Sequence, residues 1–475
     1  MMKIRRWPLI AGLGLLCAGS ARAGELAPSF SAPLTLRQAV SYAFTHQPAI
    51  GAQRALQEQA AANVEHGRAG YVQQLDASES SNWAQAAHNP AGLFLPIPGF
   101  PSPEGPQNTG SFGPGAWNGA TSVFLSEDAI ALMRQMAVVD SSLAQLSRQS
   151  AATDEQTLLV AFGAAQAFMN QVSAIQMVTA ARAGVVRARA FAIAVKGLVD
   201  SGLRPGADLA RAEAELALAR NQEINAERDQ RVGWAALAQA LGAPDLPPAP
   251  LEGNDLLRPP PKTGLPAGPS SVDPLMRGAA AEIKSTRYSE QAAKLEYLPR
   301  VSLVAGVFGR GSGFGFGGSS GAPVSGALPN NFNAAAGVVL TVPLEQILAA
   351  HADVDLERAN EKYARARYRL TALQLRTQFE SAIAILQGAR RVAANTPIEL
   401  AAARATQLQT TAQYQPGLAT ALDVATANSL LTQAEVDDAV ARVNVWQALL
   451  LVWRAAGDLN PFLRADRLAI AQRNR

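Results

Sequence analysis

The chain repeats itself at a spacing of 215 residues. The segment 201–210 aligns with 416–425, and the apolar stripe of the helix that follows each segment aligns at the same spacing. The single acid within that stripe recurs as well, as Glu223 in the first copy and Asp438 in the second. A fixed spacing that persists along whole helices indicates a duplication, so the fold must use one structural unit twice.

Nearer the N-terminus the spacing grows to 226 residues, and a longer irregular loop in the first copy accounts for the difference. Each copy predicts a helix, a strand, a loop, a second strand, a very long helix, a tight turn and a shorter helix. We divide the chain into a signal peptide at 1–23, a first structural repeat at 34–243, a Pro/Gly-rich linker at 244–273, a second repeat at 274–460 and a C-terminal tail at 461–475.

The first 23 residues have the pattern of an export signal. Basic residues precede a short apolar run, and Ala21-Arg22-Ala23 has the small-x-small pattern of a signal-peptidase site. The apolar run is shorter than the roughly 20 residues of a membrane span. Without this segment the chain has 37 basic and 38 acidic residues, so its charge gives no reason to expect nucleic-acid binding.

The only cysteine, Cys17, lies inside this segment. The mature chain therefore excludes disulfides, thiolate metal sites and cysteine catalysis. Lipidation of Cys17 is the alternative, although Leu16 is a poor residue for the position before a lipidated cysteine.

Two segments predict helices of unusual length. Residues 128–200 contain no proline, and a continuous helix there would be about 110 Å long. Its counterpart at 349–413 contains Pro397, where we expect a kink or a break. The helices that follow, at 207–242 and 423–457, would span about half that length.

These helices carry apolar residues at the spacing of coiled-coil seams. In the second copy the seams are Leu356, Ala359, Tyr363, Ala366, Leu370 and Leu373, and Val424, Ala427, Leu431, Ala434, Ala441, Val445, Ala448 and Val452 with Asp438 among them. In the first copy one seam is Leu158, Phe162, Ala165, Met169 and Val172, and Phe168, Ile175 and Val178 begin another. A helix with two adjacent seams contacts two neighbours, which suits a ring of helices.

Four segments predict strands, at 70–81, 118–126, 296–308 and 334–342. The third alternates cleanly and has the length of a membrane-barrel strand, whereas the first is poorly patterned. Membrane barrels have at least about eight strands, so strands in a membrane would require several chains. No run of about 18 apolar residues follows the signal segment, so we expect no transmembrane helix.

No motif predicts an enzyme, a metal site or a cofactor site. Residues 313–318 match G-x-G-x-x-G, but they lie in a glycine-rich loop with no helix after them to bind phosphate. The four histidines, His46, His66, His88 and His351, show no ligand spacing, and we expect them at the surface.

A further set of short motifs follows the chain from end to end. They are Leu34-Thr35-Leu36 with Ala39-Val40, Gln47-Pro48-Ala49-Ile50, Gly70-Tyr71, Val339-Leu340-Thr341-Val342-Pro343-Leu344, and Tyr414 with Gly417 and Asp423-Val424. No single motif is specific, but their order and the duplication together resemble the TolC-like outer-membrane efflux protein family. The resemblance covers about residues 34–460, nearly the whole mature chain.

The resemblance implies an α+β membrane protein that assembles as a homotrimer. Three chains would form a twelve-stranded β-barrel in the outer membrane, continued by a twelve-helix α-barrel in the periplasm. The implied function is that of a channel protomer in a tripartite efflux or type I secretion system, which conducts substrates passively. The implied partners are outer-membrane lipid, a periplasmic adaptor (membrane fusion) protein and an inner-membrane pump of the RND, MFS or ABC type.

The resemblance also assigns a role to the two tight turns. The residues Gly202 and Leu203, and likewise Gly417 and Leu418, look like the periplasmic tips where adaptors dock. Glycine also permits a tight turn whether or not a partner binds there, and both interpretations can hold.

Asp208, Tyr414 and Asp423 look like the periplasmic gate of the family. Asp423 would face the pore at its constriction, where three copies would form an anionic ring that attracts cations. The alternative is that Asp423 only complements the dipole at the start of its helix. Asp208 would tie neighbouring hairpins together, with Tyr414 as its partner.

The sequence departs from the family's best-known pattern at three places. Ala419 stands where an arginine can pair with the equivalent of Asp208, and Thr426 stands where a second pore aspartate can lie. We therefore expect fewer charged contacts at the gate. The start of the first long helix, at 126–129, lacks the proline-centred turn that Pro343 supplies before the second one.

Two other classes of protein are alternatives. A periplasmic coiled-coil spacer or adaptor would have the long helices but no membrane strands. An autonomous porin would be open without partners. The sequence does not identify the cargo, so drugs, metals, small metabolites and secreted polypeptides all stay open.

Overall fold

The computed structural model describes residues 33–71, 74–84, 116–261, 264–270, 272–312, 328–329, 331–342 and 346–464. The predicted signal peptide with Cys17, His88, the glycine-rich motif at 313–318, Pro343 and the end of the predicted tail lie outside the described residues. The described part of the chain is mainly helical and contains one four-stranded sheet.

The order of elements is the same in the two halves of the chain. The first half contains β1 (Leu34–Thr35), α1 (Leu36–His46), α2 (Pro48–Ala69), β2 (Gln74–Ala84), β3 (Ala116–Asp128), α3 (Ala129–Asp200) and α4 (Gly206–Leu241). The second half contains β4 (Leu251–Glu252), α5 (Pro274–Lys294), β5 (Arg300–Ser312), β6 (Asn331–Thr341), α6 (Gln346–Tyr414) and α7 (Ala421–Ala456). From α2 to α4 and from α5 to α7 the chain forms a helix, two strands, a very long helix and a shorter helix, and all four predicted long strands are present.

Helices α3 and α6 contain 72 and 69 residues, which correspond to about 110 and 100 Å. An 18-residue window of α3 has a mean hydropathy of 1.4, so α3 is long and apolar enough to cross a membrane, and half of that window is buried inside the chain. The sequence prediction missed this property because it counted only uninterrupted apolar runs. Packing against α2, α4, α5 and α7 accounts for the apolar surface of α3.

Helix α6 continues through Pro397, so the prediction of a break at this position was wrong. A proline inside a helix removes one backbone hydrogen bond. The neighbouring Thr396 donates a hydrogen bond to Asp438 of α7 over 3.1 Å, and both side chains are buried. Contact with α7 along the length of α6 therefore offsets the local loss.

Strand β3 leads directly into α3. The Asp128 side chain accepts hydrogen bonds from the N–H groups of Ile130 (2.9 Å) and Ala131 (3.1 Å). An acidic side chain at this position satisfies two of the free N–H groups of the first helical turn. This cap performs the function that the proline-centred turn was expected to serve.

The predicted seams have two different outcomes. The seam of α7 is buried from Val424 to Val452, including Asp438, and the seams of α3 are buried or partly buried apart from none of their large residues being fully exposed. The seam of α6 is exposed, with its four largest side chains between 53% and 63% accessible: Leu356, Tyr363, Leu370 and Leu373. Within the chain α6 packs through other residues, such as Leu375 and Phe379.

The long strands form one antiparallel sheet in the order β2-β3-β5-β6. Residues paired directly across neighbouring strands lie on the same face. One face carries Leu75, Ala77, Val123, Leu125, Val301, Leu303, Ala305, Val307, Phe332, Ala334, Ala336, Val338 and Leu340. The opposite face carries Asp76, Ser78, Ser80, Ser122, Ser126, Ser302 and Asn333. On the apolar face Glu79 accepts a hydrogen bond from the Thr121 hydroxyl.

The largest core lies where α1, α3, α4, α6 and α7 meet the linker between the two halves. The linker is more ordered than the sequence predicted: β4 pairs with β1 in parallel, and Leu256 is buried. Trp446 of α7 is fully buried in this core, and its indole N–H donates to the carbonyl of Arg258 over 2.8 Å. The linker therefore joins the two hairpins at one end of the helices.

Candidate functional site

The turn between α3 and α4 closes with a pair of backbone hydrogen bonds. The N–H of Leu203 donates to the carbonyl of Leu198 (2.9 Å), and the N–H of Gly202 donates to that of Val199 (2.9 Å). This is a Schellman motif, which places the glycine in the left-handed region. The φ angle of Gly202 is 70°, so any other residue would be strained at this position.

The turn between α6 and α7 repeats this geometry. The N–H of Leu418 donates to the carbonyl of Gln413 (2.9 Å), and the N–H of Gly417 donates to that of Tyr414 (3.1 Å). The φ angle of Gly417 is 87°. The two turns are thus equivalent in backbone conformation as well as in sequence position.

Each turn exposes a leucine. In a Schellman motif the residue after the glycine often packs against the last helical turn. Here Leu203 is 71% exposed and Leu418 is 79% exposed. Both side chains are therefore available for contact with another molecule.

Asp423 takes part in a capping box with Thr420 at the start of α7. Its carboxylate accepts hydrogen bonds from the backbone N–H (2.8 Å) and the hydroxyl (2.7 Å) of Thr420, and its own N–H donates to that hydroxyl (3.2 Å). These hydrogen bonds lower the pKa of Asp423. Asp423 is exposed and ionised, and its hydrogen bonds lie within its own helical turn.

Asp208 occupies the equivalent position at the start of α4 but has a different partner. Pro205 stands where the second hairpin has Thr420, and α4 begins without a side-chain cap. Proline offers neither an N–H group nor a side-chain oxygen. The carboxylate of Asp208 instead accepts a hydrogen bond from the hydroxyl of Tyr414 over 3.2 Å.

Tyr414 ends α6 and lies in a small apolar cluster. It is 3% exposed, and its ring packs edge-on against Phe191 at a centroid distance of 5.3 Å. Burial raises the pKa of the Tyr414 hydroxyl, and the negative charge of Asp208 raises it further. The phenol therefore keeps the proton that it donates to Asp208.

Arg204 also contacts Tyr414, and sequence reasoning missed this residue. Its guanidinium carbon lies 4.6 Å from the centre of the Tyr414 ring, and its Nη2 donates to the Tyr414 carbonyl over 2.7 Å. A cation over an aromatic face is attractive, and the effect grows as water is excluded. The first hairpin thus supplies a cation at the tip, where Ala419 of the second hairpin supplies none.

The structure brings Asp208 and Tyr414 together and adds Arg204 to them, while Asp423 stays on its own turn. Thr426, the other position that departs from the family pattern, bonds through its hydroxyl to the carbonyl of Leu422 in its own helix (2.8 Å). The arrangement is a polar contact between two hairpins, without the geometry of a catalytic site.

Within the described residues no group of three or more His, Cys, Asp or Glu side chains is arranged to hold a metal ion. His46, His66 and His351 are exposed, as their spacing predicted. Tyr297 and His351 form a hydrogen bond of 3.1 Å near the start of α6.

A comparison with protein families identifies the chain. The family model described as outer membrane efflux protein matches residues 39–243 and 271–458. The chain belongs to this family. A comparison with functionally curated proteins gave no significant match.

The fold is similar to those of several solved structures. CusC, in crystal structures of its folding and transmembrane channel formation, has a TM-score of 0.75 at 17% identity, covering 91% of this chain and 99% of that chain. The outer membrane protein VceC from Vibrio cholerae has a TM-score of 0.73 at 16% identity, covering 89% and 96%. The CmeC outer membrane channel from Campylobacter jejuni has a TM-score of 0.71 at 16% identity, covering 93% and 90%. At these identities the likeness is one of fold.

Proposed function

We propose that three copies of this chain form one continuous channel from the periplasm to the exterior. The protein is an outer-membrane efflux channel component whose helices extend into the periplasm, and its family is one of transport proteins rather than enzymes. Three four-stranded sheets would close into a twelve-stranded β-barrel. The hairpins α3–α4 and α6–α7 of three chains would form a twelve-helix α-barrel.

The two-sided sheet is the observation that carries this proposal. Its apolar face is open in the single chain, with Leu75, Leu303 and Val338 each about 60% exposed or more. Outer-membrane strands alternate between lipid-facing apolar and lumen-facing polar residues, and aromatic residues lie at the membrane interface. Trp117 and Phe332 lie on the apolar face at the loop end of the sheet. Strands β2 and β6 are its edges, and closure with neighbouring chains would pair both.

The exposed seam of α6 supports the same assembly. Helix α6 packs on α5 and α7 and lies at one edge of the helical layer, while α2 and α4 lie at the other edge. The other edge also exposes apolar side chains, namely Leu56, Leu218, Ile224 and Val232. A heptad seam without a partner in its own chain is stabilised when a neighbouring helix covers it.

We assign the exposed leucines of the two turns, Leu203 and Leu418, to contact with a periplasmic adaptor. An inner-membrane pump would deliver substrate through that adaptor. Equivalent turns in three chains would present six such leucines in a ring, which suits a partner that also binds around the channel axis.

We assign Asp208, Tyr414 and Asp423 to the periplasmic gate. Three copies of Asp423 would form an anionic ring, and Asp208 with Tyr414 would hold the hairpins together at the closed end. Asp423→Ala should weaken the block of channel current by divalent cations added from the periplasmic side. Thr420→Ala is the matched control, because it breaks the capping box and keeps the carboxylate. Unchanged block in Asp423→Ala, or equal weakening in both variants, would mean that Asp423 serves only as a cap.

Membrane extraction separates the channel from a periplasmic spacer or adaptor. A channel is released from the membrane fraction only by detergent, because its strands lie in lipid. Release by salt alone would contradict the channel. Single-channel conductance separates a gated channel from an autonomous porin, since a large, permanently open pore would rule out a gate that depends on partners.

We also propose the division of the chain given by its repeat. The signal peptide at 1–23 would be removed on export, and the repeats at 34–243 and 274–460 would derive from one duplicated unit. The linker at 244–273 would form part of an equatorial region, with the tail at 461–475 following the last helix.

A further inference from the structure

Two separate contacts fasten the hairpin α3–α4 to the hairpin α6–α7 within one chain. One is the tip contact of Tyr414 described above. The other lies farther along α3, where Arg187 forms a bidentate ion pair with Glu435 of α7. Nη1 lies 3.2 Å from Oε1, and Nη2 lies 2.8 Å from Oε2. The two side chains are 18% and 19% exposed, so salt screens this pair less than a surface pair.

The helices approach closely beside this ion pair. Nη2 of Arg187 also donates to the hydroxyl of Thr432 over 2.7 Å. Gly184 lies opposite Thr432, and a Cβ atom placed on it would be only 2.9 Å from the hydroxyl oxygen and 3.7 Å from Cβ of Thr432. A larger residue at this position would push α3 and α7 apart.

The internal repeat shows what the equivalent contact between protomers contains. In a ring of hairpins, α6 of one protomer meets α4 of the next as α3 meets α7 within a protomer. At the repeat spacing, Ala402 corresponds to Arg187 and Arg220 to Glu435. The same spacing places Glu399 at the position of Gly184 and Ala217 at that of Thr432. The arginine and the hydroxyl are gone, and the glutamate prevents the close approach.

The tip contact has no equivalent between protomers either. Val199 corresponds to Tyr414, and Ala419 corresponds to Arg204. Valine has no hydroxyl to donate and no ring to receive a cation. Asp423, which corresponds to Asp208, has its carboxylate engaged by its own capping box.

We infer that the two hairpins of one protomer move as a single body, and that the closed end of the channel opens along the boundaries between protomers. Arg187 and Arg204 are the positioning residues of this body. The inference rests on the proposed trimeric channel. It adds to that proposal by assigning which of two nearly equivalent helix boundaries separates on opening.

Two engineered disulfides test the inference, since the mature chain has no cysteine of its own. Gly184→Cys with Thr432→Cys joins the hairpins inside a protomer, and the Cβ separation of 3.7 Å matches that of a disulfide. Glu399→Cys with Ala217→Cys occupies the repeat-equivalent positions between protomers. Each purified variant is studied in a planar bilayer under applied voltage, oxidised and then reduced, with the single-cysteine variants as controls.

We expect the oxidised Gly184→Cys/Thr432→Cys channel to open as often as its reduced form. The oxidised Glu399→Cys/Ala217→Cys channel should form covalent multimers on a non-reducing gel, stay closed, and open again after reduction. Loss of opening in the oxidised intraprotomer variant, or free opening in the oxidised interprotomer variant, would overturn the inference. Absence of covalent multimers, or of opening in every reduced variant, would instead overturn the proposed trimeric channel and the inference with it.

Discussion

At the scale of single residues, the two aspartates near the turns differ in function because of one neighbour. Thr420 engages Asp423 in a capping box, whereas Pro205 cannot engage Asp208. Asp208 is therefore free to accept a hydrogen bond from the other hairpin. A proline that removes a local partner thus creates a long-range contact with Tyr414.

The Tyr414 hydroxyl should ionise later than an ordinary tyrosine. Its pKa is raised above 10.0, first by burial and then by Asp208. A group with a raised pKa in the folded state gives its full stabilisation below the unfolded pKa, and that stabilisation is lost as pH rises through the folded pKa. The absorbance titration of the wild type minus that of Tyr414→Phe should therefore show one tyrosine with a midpoint above pH 10. A midpoint at or below 10 would contradict the buried contact.

Sequence reasoning found Asp208 and Tyr414 but not Arg204. The repeat aligned the two aspartates, and a resemblance supplied the tyrosine. Arg204 aligns with Ala419 and lies 210 positions from Tyr414, so no local pattern connects them. The signal that was available is the asymmetry itself: a charged residue in one copy faces an alanine in the other.

At the scale of elements, the two faces of β6 should respond differently to charge. Ala336 lies on the apolar face and Ala335 lies on the opposite face, both near the middle of the strand. Arginine at the lipid face of a barrel strand costs on the order of 2–4 kcal/mol near the membrane centre. Ala336→Arg should therefore reduce the folded, detergent-extracted fraction strongly, while Ala335→Arg should leave it nearly unchanged. Equal effects of the two substitutions, measured on extracted membranes, would argue against a lipid-facing side.

Hydrophobic spacing predicted the long helices and the four long strands, and it failed where distant contacts decide. β2 has a weak pattern because it is an edge strand, exposed on both faces along most of its length. The pairing of β1 with β4 joins two-residue strands that are far apart in the chain, and no periodicity marks them. The helix through Pro397 follows from packing on α7, which a local rule for proline does not include.

At the scale of the whole molecule, the α6 seam should hold protomers together. Leu373 is 62% exposed in the single chain, and a neighbouring chain would bury it. Leu373→Glu should convert trimers to monomers while the helix content stays the same. Val186→Glu is the control, since Val186 is 67% exposed on α3, a helix that already has neighbours on both sides. Circular dichroism and light scattering measure both properties. Intact trimers in Leu373→Glu would remove α6 from the interface.

The central claim is that three copies make one outer-membrane channel, and native mass spectrometry tests it most directly. The mature protein is extracted from outer membranes in detergent and measured without denaturation. We predict one dominant species with the mass of three chains. A species of one or two chains under the same conditions would contradict the account.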